Sequence, residues 1–378
     1  MIIQSKKVWI ADQFTPAQLE LEDGIIKEIY PYNEKEVTKD YGDLRILPGF
    51  IDIHCHGAYG FDTNDANPEG LRKWAKGIVD EGVTSFLATT LTQSEEVLTN
   101  AVSNVAKVVE GYEGAEILGI HFEGPYLNKA HKGAQPEEYC VKPNIEQFKR
   151  YQKAAHGLIK YITMAVENDE DYALTKYCSQ NNVVVSIGHS NATYEQAVQA
   201  YAHGARSMTH VYNAMTPFTH RANGLVGGAL RIRNMYGEII CDGNHSTLAA
   251  LNNFFTSKGP DYSIMITDSL MCKGFPVGTK FDFGGQEVVI YPDGSAHLVE
   301  AGNLAGSTLN VNKGLKILIE DALVPVNYAI NACTSNPARC LHVDDRKGTI
   351  GVGYDADLVV LDRDYEVVQT YCKGVGQK

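Results

Sequence analysis

The chain has 378 residues, 44% of them hydrophobic and 21% charged, the composition of a globular protein able to bury a large core. A formal charge of -13 leaves no basic stripe for phosphate backbones and argues against a nucleic-acid partner. No stretch approaches the roughly 20 apolar residues of a membrane span, and "MIIQSKKVWIADQF" lacks a signal peptide's apolar core, so a cytoplasmic protein without a membrane partner is expected. The eight cysteines form no C-x-x-C pair and read as free, buried thiols of a reducing compartment.

From residue 1 to 47, short β-type runs such as "KKVWIA" and "GIIKEIY" are broken by Gly, Asp, Pro and Asn. The same texture returns in 344–378, with apolar runs at Leu358–Leu361 and Val367–Val368. The two ends predict one small β-sandwich domain, with 48–343 as a larger domain inserted between them. Within the insertion, candidate strands follow in order: "GFIDIH", "TSFLATT", "ILGIHFEG", "YITMAVE", "VVVSIGHS", "SMTHVYNA", "GEIICDG" and "YSIMITD". Amphipathic stretches separate most of them, which predicts an α/β fold with a parallel sheet closed into a (β/α)8 TIM-like barrel. A doubly wound open sheet is the alternative. Residues 275–300 form a Gly-bounded insert that predicts a β-hairpin over the barrel mouth.

Barrels of this kind carry their chemistry at the C-terminal strand ends. His54 and His56 end the first candidate strand, and positions i and i+2 of a strand face the same way, so both imidazoles can reach one ion. Glu123 ends the third strand, His189 the fifth and Asp268 the eighth; His210 sits in the sixth and His245 follows the seventh. A lone strand-end histidine is usually a hydrogen-bonded structural residue, and a lone Asp before Ser usually a helix cap. So many together point to a site for a divalent transition metal. His121 reads as core packing, Glu167 as a secondary candidate at the end of the fourth strand, and His131, His156, His203, His297 and His342 as structural or solvated. "GVGYDA" formally matches a dinucleotide fingerprint but opens no helix, and no H-E-x-x-H, G-x-S-x-G or Walker A run is found.

The run "LPGFIDIHCHG" resembles the opening of the metal barrel of the amidohydrolase superfamily. "HFEGP", "GHSNAT", "THVYNAMTPFTHR", "CDGNH", "ITDS", "NLAGSTLN" and "GYDADLVVLD" are similar to successive signatures of its N-acetylglucosamine-6-phosphate deacetylase family, in order from about 47 to 362. The resemblance implies metal-dependent hydrolysis of the acetamide of N-acetyl-D-glucosamine 6-phosphate to D-glucosamine 6-phosphate and acetate, within amino-sugar catabolism or recycling. By that likeness Glu123, His189 and His210 hold the main ion, Zn²⁺ or Fe²⁺, and His54 and His56 complete a second site, giving one or two ions per subunit. Asp268 is then the catalytic acid/base. Asn213, Ala214, Arg221 and His245 match sugar-phosphate positions, and Leu304, Ala305 and Gly306 match the segment lining the sugar. Because the family's phosphate-binding arginine can come from a neighbouring subunit, a homodimer is implied.

Where the family has "KGAH", with a histidine that touches substrate, this chain reads "KGAQ", so Gln135 is expected to offer an amide to a sugar hydroxyl. Two rivals remain: a related amidase acting on another N-acetylated sugar or cyclic amide, and a non-catalytic barrel scaffold. The first loses support because "YITMAVEND" ends without the lysine that many bridged two-metal sites carboxylate, and the second because every candidate ligand is kept.

Overall fold

Phe50–Cys55 is buried at every position, the pattern of a strand covered on both faces, as parallel sheets require. In the computed structural model, which describes residues 1–377 except 110 and 112, this segment is the first strand of the barrel (β1). It is followed by β2 (Val83–Thr90), β3 (Glu116–Glu123), β4 (Ile159–Met164), β5 (Val184–Ile187), β6 (Ala205–Met208), β7 (Tyr236–Ile240) and β8 (Ser263–Ile266). These eight strands form one sheet, β8-β7-β6-β5-β4-β3-β2-β1, all pairs parallel. A parallel bridge between Cys55 and Ser269, with the Asp268 amide donating to the His54 carbonyl at 2.8 Å, brings the ends of β1 and β8 together and closes the barrel.

Side-chain caps start the intervening helices: Asn67 caps Pro68–Gly77, Ser94 caps Glu95–Val108, and Thr193 and Gln196 form a capping box on Tyr194–Ala202. Strands from the two chain ends build a separate eight-stranded sheet, with Arg45–Pro48 lying between Ile2–Ile10 and Leu358–Leu361. Period-2 alternation joins this domain to the barrel. Leu358 and Val360 enter the small domain's core, while Val359 and Leu361 face the barrel core.

The insert expected as a hairpin carries a third strand: Lys280–Phe283, Gln286–Ile290 and Ala296–Leu298 pair antiparallel. Its core packs with Leu91, Leu270 and Ala305, which holds it over the C-terminal side of the barrel. No helix among the described residues is long and apolar enough to cross a membrane.

Candidate metal centre and active site

The barrel interior below the site is polar. His121 is fully buried and bonds the Ile53 carbonyl at 3.1 Å and Thr163 at 2.7 Å; Thr163, Thr209 and Ser186 continue the chain of hydrogen bonds at 2.7 and 2.6 Å. Burial and the charge of His54 push the His121 imidazole well down.

Above this floor the strand-end ligands converge. β6 ends at Met208, earlier than the sequence suggested, and β5 and β8 likewise stop two residues before His189 and Asp268. His189, His210 and Asp268 each leave the strand at positive φ, 46°, 28° and 51°. A left-handed turn costs a non-glycine residue about 1–3 kcal/mol, and here the turns follow directly on the strands, at the barrel mouth.

His189 donates Nδ1–H to the His131 carbonyl at 2.9 Å, and His210 donates Nδ1–H to the Asn213 carbonyl at 3.2 Å. These partners assign the lone pair of each ring to Nε2. Yet the two Nε2 atoms lie 3.0 Å apart, and Glu123 Oε1 is 3.3 and 3.4 Å from them. Glu123 Oε1 is buried and accepts no hydrogen bond. Two imidazole lone pairs and a carboxylate oxygen facing one point repel unless a cation takes the place between them, so the donor set fits a divalent metal ion.

His54, His56 and Asp268 form an adjoining group. His54 Nδ1 donates to Glu238 at 2.9 Å, which leaves its buried Nε2 without a hydrogen-bond partner, 3.4 Å from both Glu123 and Asp268. His56 Nε2 lies 3.2 Å from each of the same two carboxylates. Burial pushes the His56 imidazole down, but hydrogen bonds to Asp268 and Glu123 outweigh it and lift the group to about 9. Burial also raises Glu123 and Asp268, yet in both the His54 charge and its neighbours win and hold the carboxyl below its ordinary range. Without a metal, protons on these histidines supply the positive charge the carboxylates demand; a bound ion displaces them.

A cavity of about 310 Å³ opens over both groups. His56, Glu123, His189, His210 and Asp268 form part of its wall, and Gln135, Asn213, Ala214, His245, Leu304 and Gly306 complete much of the rest. Ala305 is buried behind that wall, in the core of the insert. Arg221 is exposed and is not part of the wall, which carries no lysine or arginine.

A model of the amidohydrolase family matches residues 45–375. The chain belongs to the amidohydrolase family. Within it, the chain is 40% identical over 348 residues to the N-acetylglucosamine-6-phosphate deacetylase of Bacillus subtilis (strain 168), covering 91% of this chain and 87% of that one. It is 33% identical over 367 residues to the N-acetylgalactosamine-6-phosphate deacetylase of Escherichia coli O157:H7, at 97% and 95% coverage. Among solved structures, N-acetyl-D-glucosamine-6-phosphate deacetylase from Mycobacterium smegmatis superposes with a TM-score of 0.94 at 26% identity, over 100% of this chain and 99% of that one.

Two residues of this amidohydrolase site escaped sequence reasoning. Glu238 is fully buried on β7 and fixes the His54 tautomer, a role that 184 residues of separation hide. Asp242 accepts from His245 Nδ1 at 2.7 Å and sets that ring; the D-x-x-H spacing of "DGNH" was a usable signal. Glu167, the secondary candidate, is not part of the cavity wall. Its carboxylate accepts from Ser190 Oγ, the Asn191 amide and the Asn128 side chain at 2.6, 2.6 and 2.9 Å, and so braces the segment after His189.

Proposed function

We propose that this amidohydrolase hydrolyses the acetamide of N-acetyl-D-glucosamine 6-phosphate to D-glucosamine 6-phosphate and acetate. The observation that carries the reading is the convergence of Glu123, His189 and His210 on one point, with Asp268 in the wall of the same cavity. Glu123, His189 and His210 would hold the main ion, Zn²⁺ or Fe²⁺, and His54 and His56 beside Asp268 would hold a second. An ion held there supplies a Lewis acid for the amide carbonyl and lowers the pKa of water toward about 7.

The protein's own groups account for the rest. Asp268 takes the proton of the attacking water as the new O–C bond forms. The acetamide C–N bond then breaks, and Asp268 passes that proton to the departing nitrogen, so acetate and the free amine leave. His245, oriented by Asp242, hydrogen-bonds the carbonyl or the sugar from the cavity wall. Asn213, Ala214 and the main chain of Leu304–Gly306 bind the sugar phosphate.

Since the wall has no lysine or arginine, Arg221 would meet the phosphate of a second copy in a homodimer, as a bidentate donor. The eight cysteines are all unpaired, in keeping with a cytoplasmic setting. β4 ends in Met164, so a carboxylated lysine bridging two ions has no place at its end.

The test is acetate release from the 6-phosphate and from the unphosphorylated sugar, with metal content measured on the same sample. Equal rates on both would sink the phosphate assignment; absent metal and no activity after adding Zn²⁺ or Fe²⁺ would favour a scaffold. The galactosamine-type relative supports one second reading, the C4 epimer as substrate, and the same assay with N-acetylgalactosamine 6-phosphate ranks the two.

A further inference from the structure

We propose that Gln135 is a positioning residue for Glu123, not a contact for the sugar. Its side-chain amide donates from Nε2 to Glu123 Oε2 at 2.6 Å, and its Oε1 accepts the Thr92 amide at 2.8 Å. Each polar atom of the side chain thus has a partner within the protein, Nε2 through one of its two N–H groups, and the residue is 3% exposed. This replaces the expectation that the amide serves a sugar hydroxyl.

The chemistry follows from the two oxygens of one carboxylate. Oε2 accepts from Gln135 and faces His56 Nε2 at 3.2 Å, which leaves Oε1 as the oxygen without a hydrogen bond, and it is Oε1 that faces His189 and His210 Nε2 at 3.3 and 3.4 Å. The surrounding loop acts on a second ligand as well. The His131 carbonyl accepts from His189 Nδ1 at 2.9 Å, and a Cβ on Gly133 would stand 3.3 Å from His189 Cε1, at a φ of +59° that disfavours a side chain. Residues 131–135 therefore seat two of the three main-site ligands. An amide does this without titrating, whereas a histidine at 135 would add an ionisable group beside Glu123.

The inference rests on Glu123 being a metal ligand and is independent of the sugar assigned above. The probe is cobalt(II) loaded into wild type and Gln135→Met, which removes the donor at nearly constant volume, and the readouts are loss of metal to a chelator and the visible cobalt spectrum, both without substrate. We expect metal retention to weaken about 10- to 100-fold with an altered spectrum. The metal-free protein also loses some stability, because the Thr92 amide is left without its acceptor, so the cobalt spectrum is the readout that a merely structural role would not move. Gln135→Asn, which keeps the amide but shortens its reach, carries the same expectation and takes over if the methionine variant does not fold. Wild-type retention and spectrum with only a raised KM would overturn the proposal and return Gln135 to the sugar. A wild type that binds no cobalt overturns it too, whereas one that binds cobalt but releases no acetate removes only the substrate assignment.

Discussion

Replacing Asp268 with asparagine keeps the size of the side chain and removes its capacity to take a proton. The backbone should not move, because the Asp268 amide donates to the His54 carbonyl at 2.8 Å, its own carbonyl accepts from Ser307 at 2.7 Å, and asparagine tolerates the left-handed φ of 51°. Nor should the main metal be lost, since Asp268 groups with His54 and His56 and lies outside the Glu123, His189 and His210 trio. What goes is general acid–base catalysis, commonly worth about 10²- to 10⁴-fold. At about 1.36 kcal/mol per tenfold this is about 2.7–5.4 kcal/mol of transition-state stabilisation. The measurement is kcat for acetate release at saturating sugar phosphate, alongside metal content. A fall of less than tenfold, or metal loss in step with the fall, refutes the assignment.

Replacing His54 and His56 together with alanine should bring a two-ion protein toward one ion per chain by elemental analysis; an unchanged count of two shows that both ions lie elsewhere. Arg221→Ala should raise KM for the phosphorylated sugar about tenfold or more and leave the unphosphorylated sugar unaffected, and a parallel change in both contradicts its phosphate role. Lys258 offers a stability test away from the site. Buried, it donates to the Ile232 carbonyl at 2.9 Å and to that of Met235, and burial lowers its ammonium from 10.5 to about 7. Between about 7 and 10.5 the unfolded chain binds a proton that the folded chain has released, so this group makes stability rise with pH by up to about 1.4 kcal/mol per unit. Lys258→Met removes the dependence, so the variant's melting temperature relative to wild type should be highest near pH 6 and fall as pH rises from 7 to 10; a flat difference would show that the lysine titrates normally.

How much of the site was legible follows from where each signal lies. The H-x-H spacing of His54 and His56 places both rings on one face of β1 whatever surrounds it, and Glu123 closes a run whose β-type composition is plain. His189, His210 and Asp268 were found because they follow apolar strands, although the left-handed turns that carry them were invisible to periodicity. Gln135 was singled out from the sequence as an amide for a sugar hydroxyl, but its partner Glu123 is met only when the loop folds back over the strand end.

Local order therefore determined the strands, the helix starts and the set of candidate metal ligands, because these depend on residues within one or two turns of each other. Tertiary structure decided which atom of each side chain is free to act. Glu238 settles the His54 tautomer from β7, the His131 carbonyl settles that of His189, and Gln135 chooses between the oxygens of Glu123. Those choices are made by hydrogen bonds between segments far apart in the chain, and such partners meet only when the barrel closes and its loops settle over the mouth.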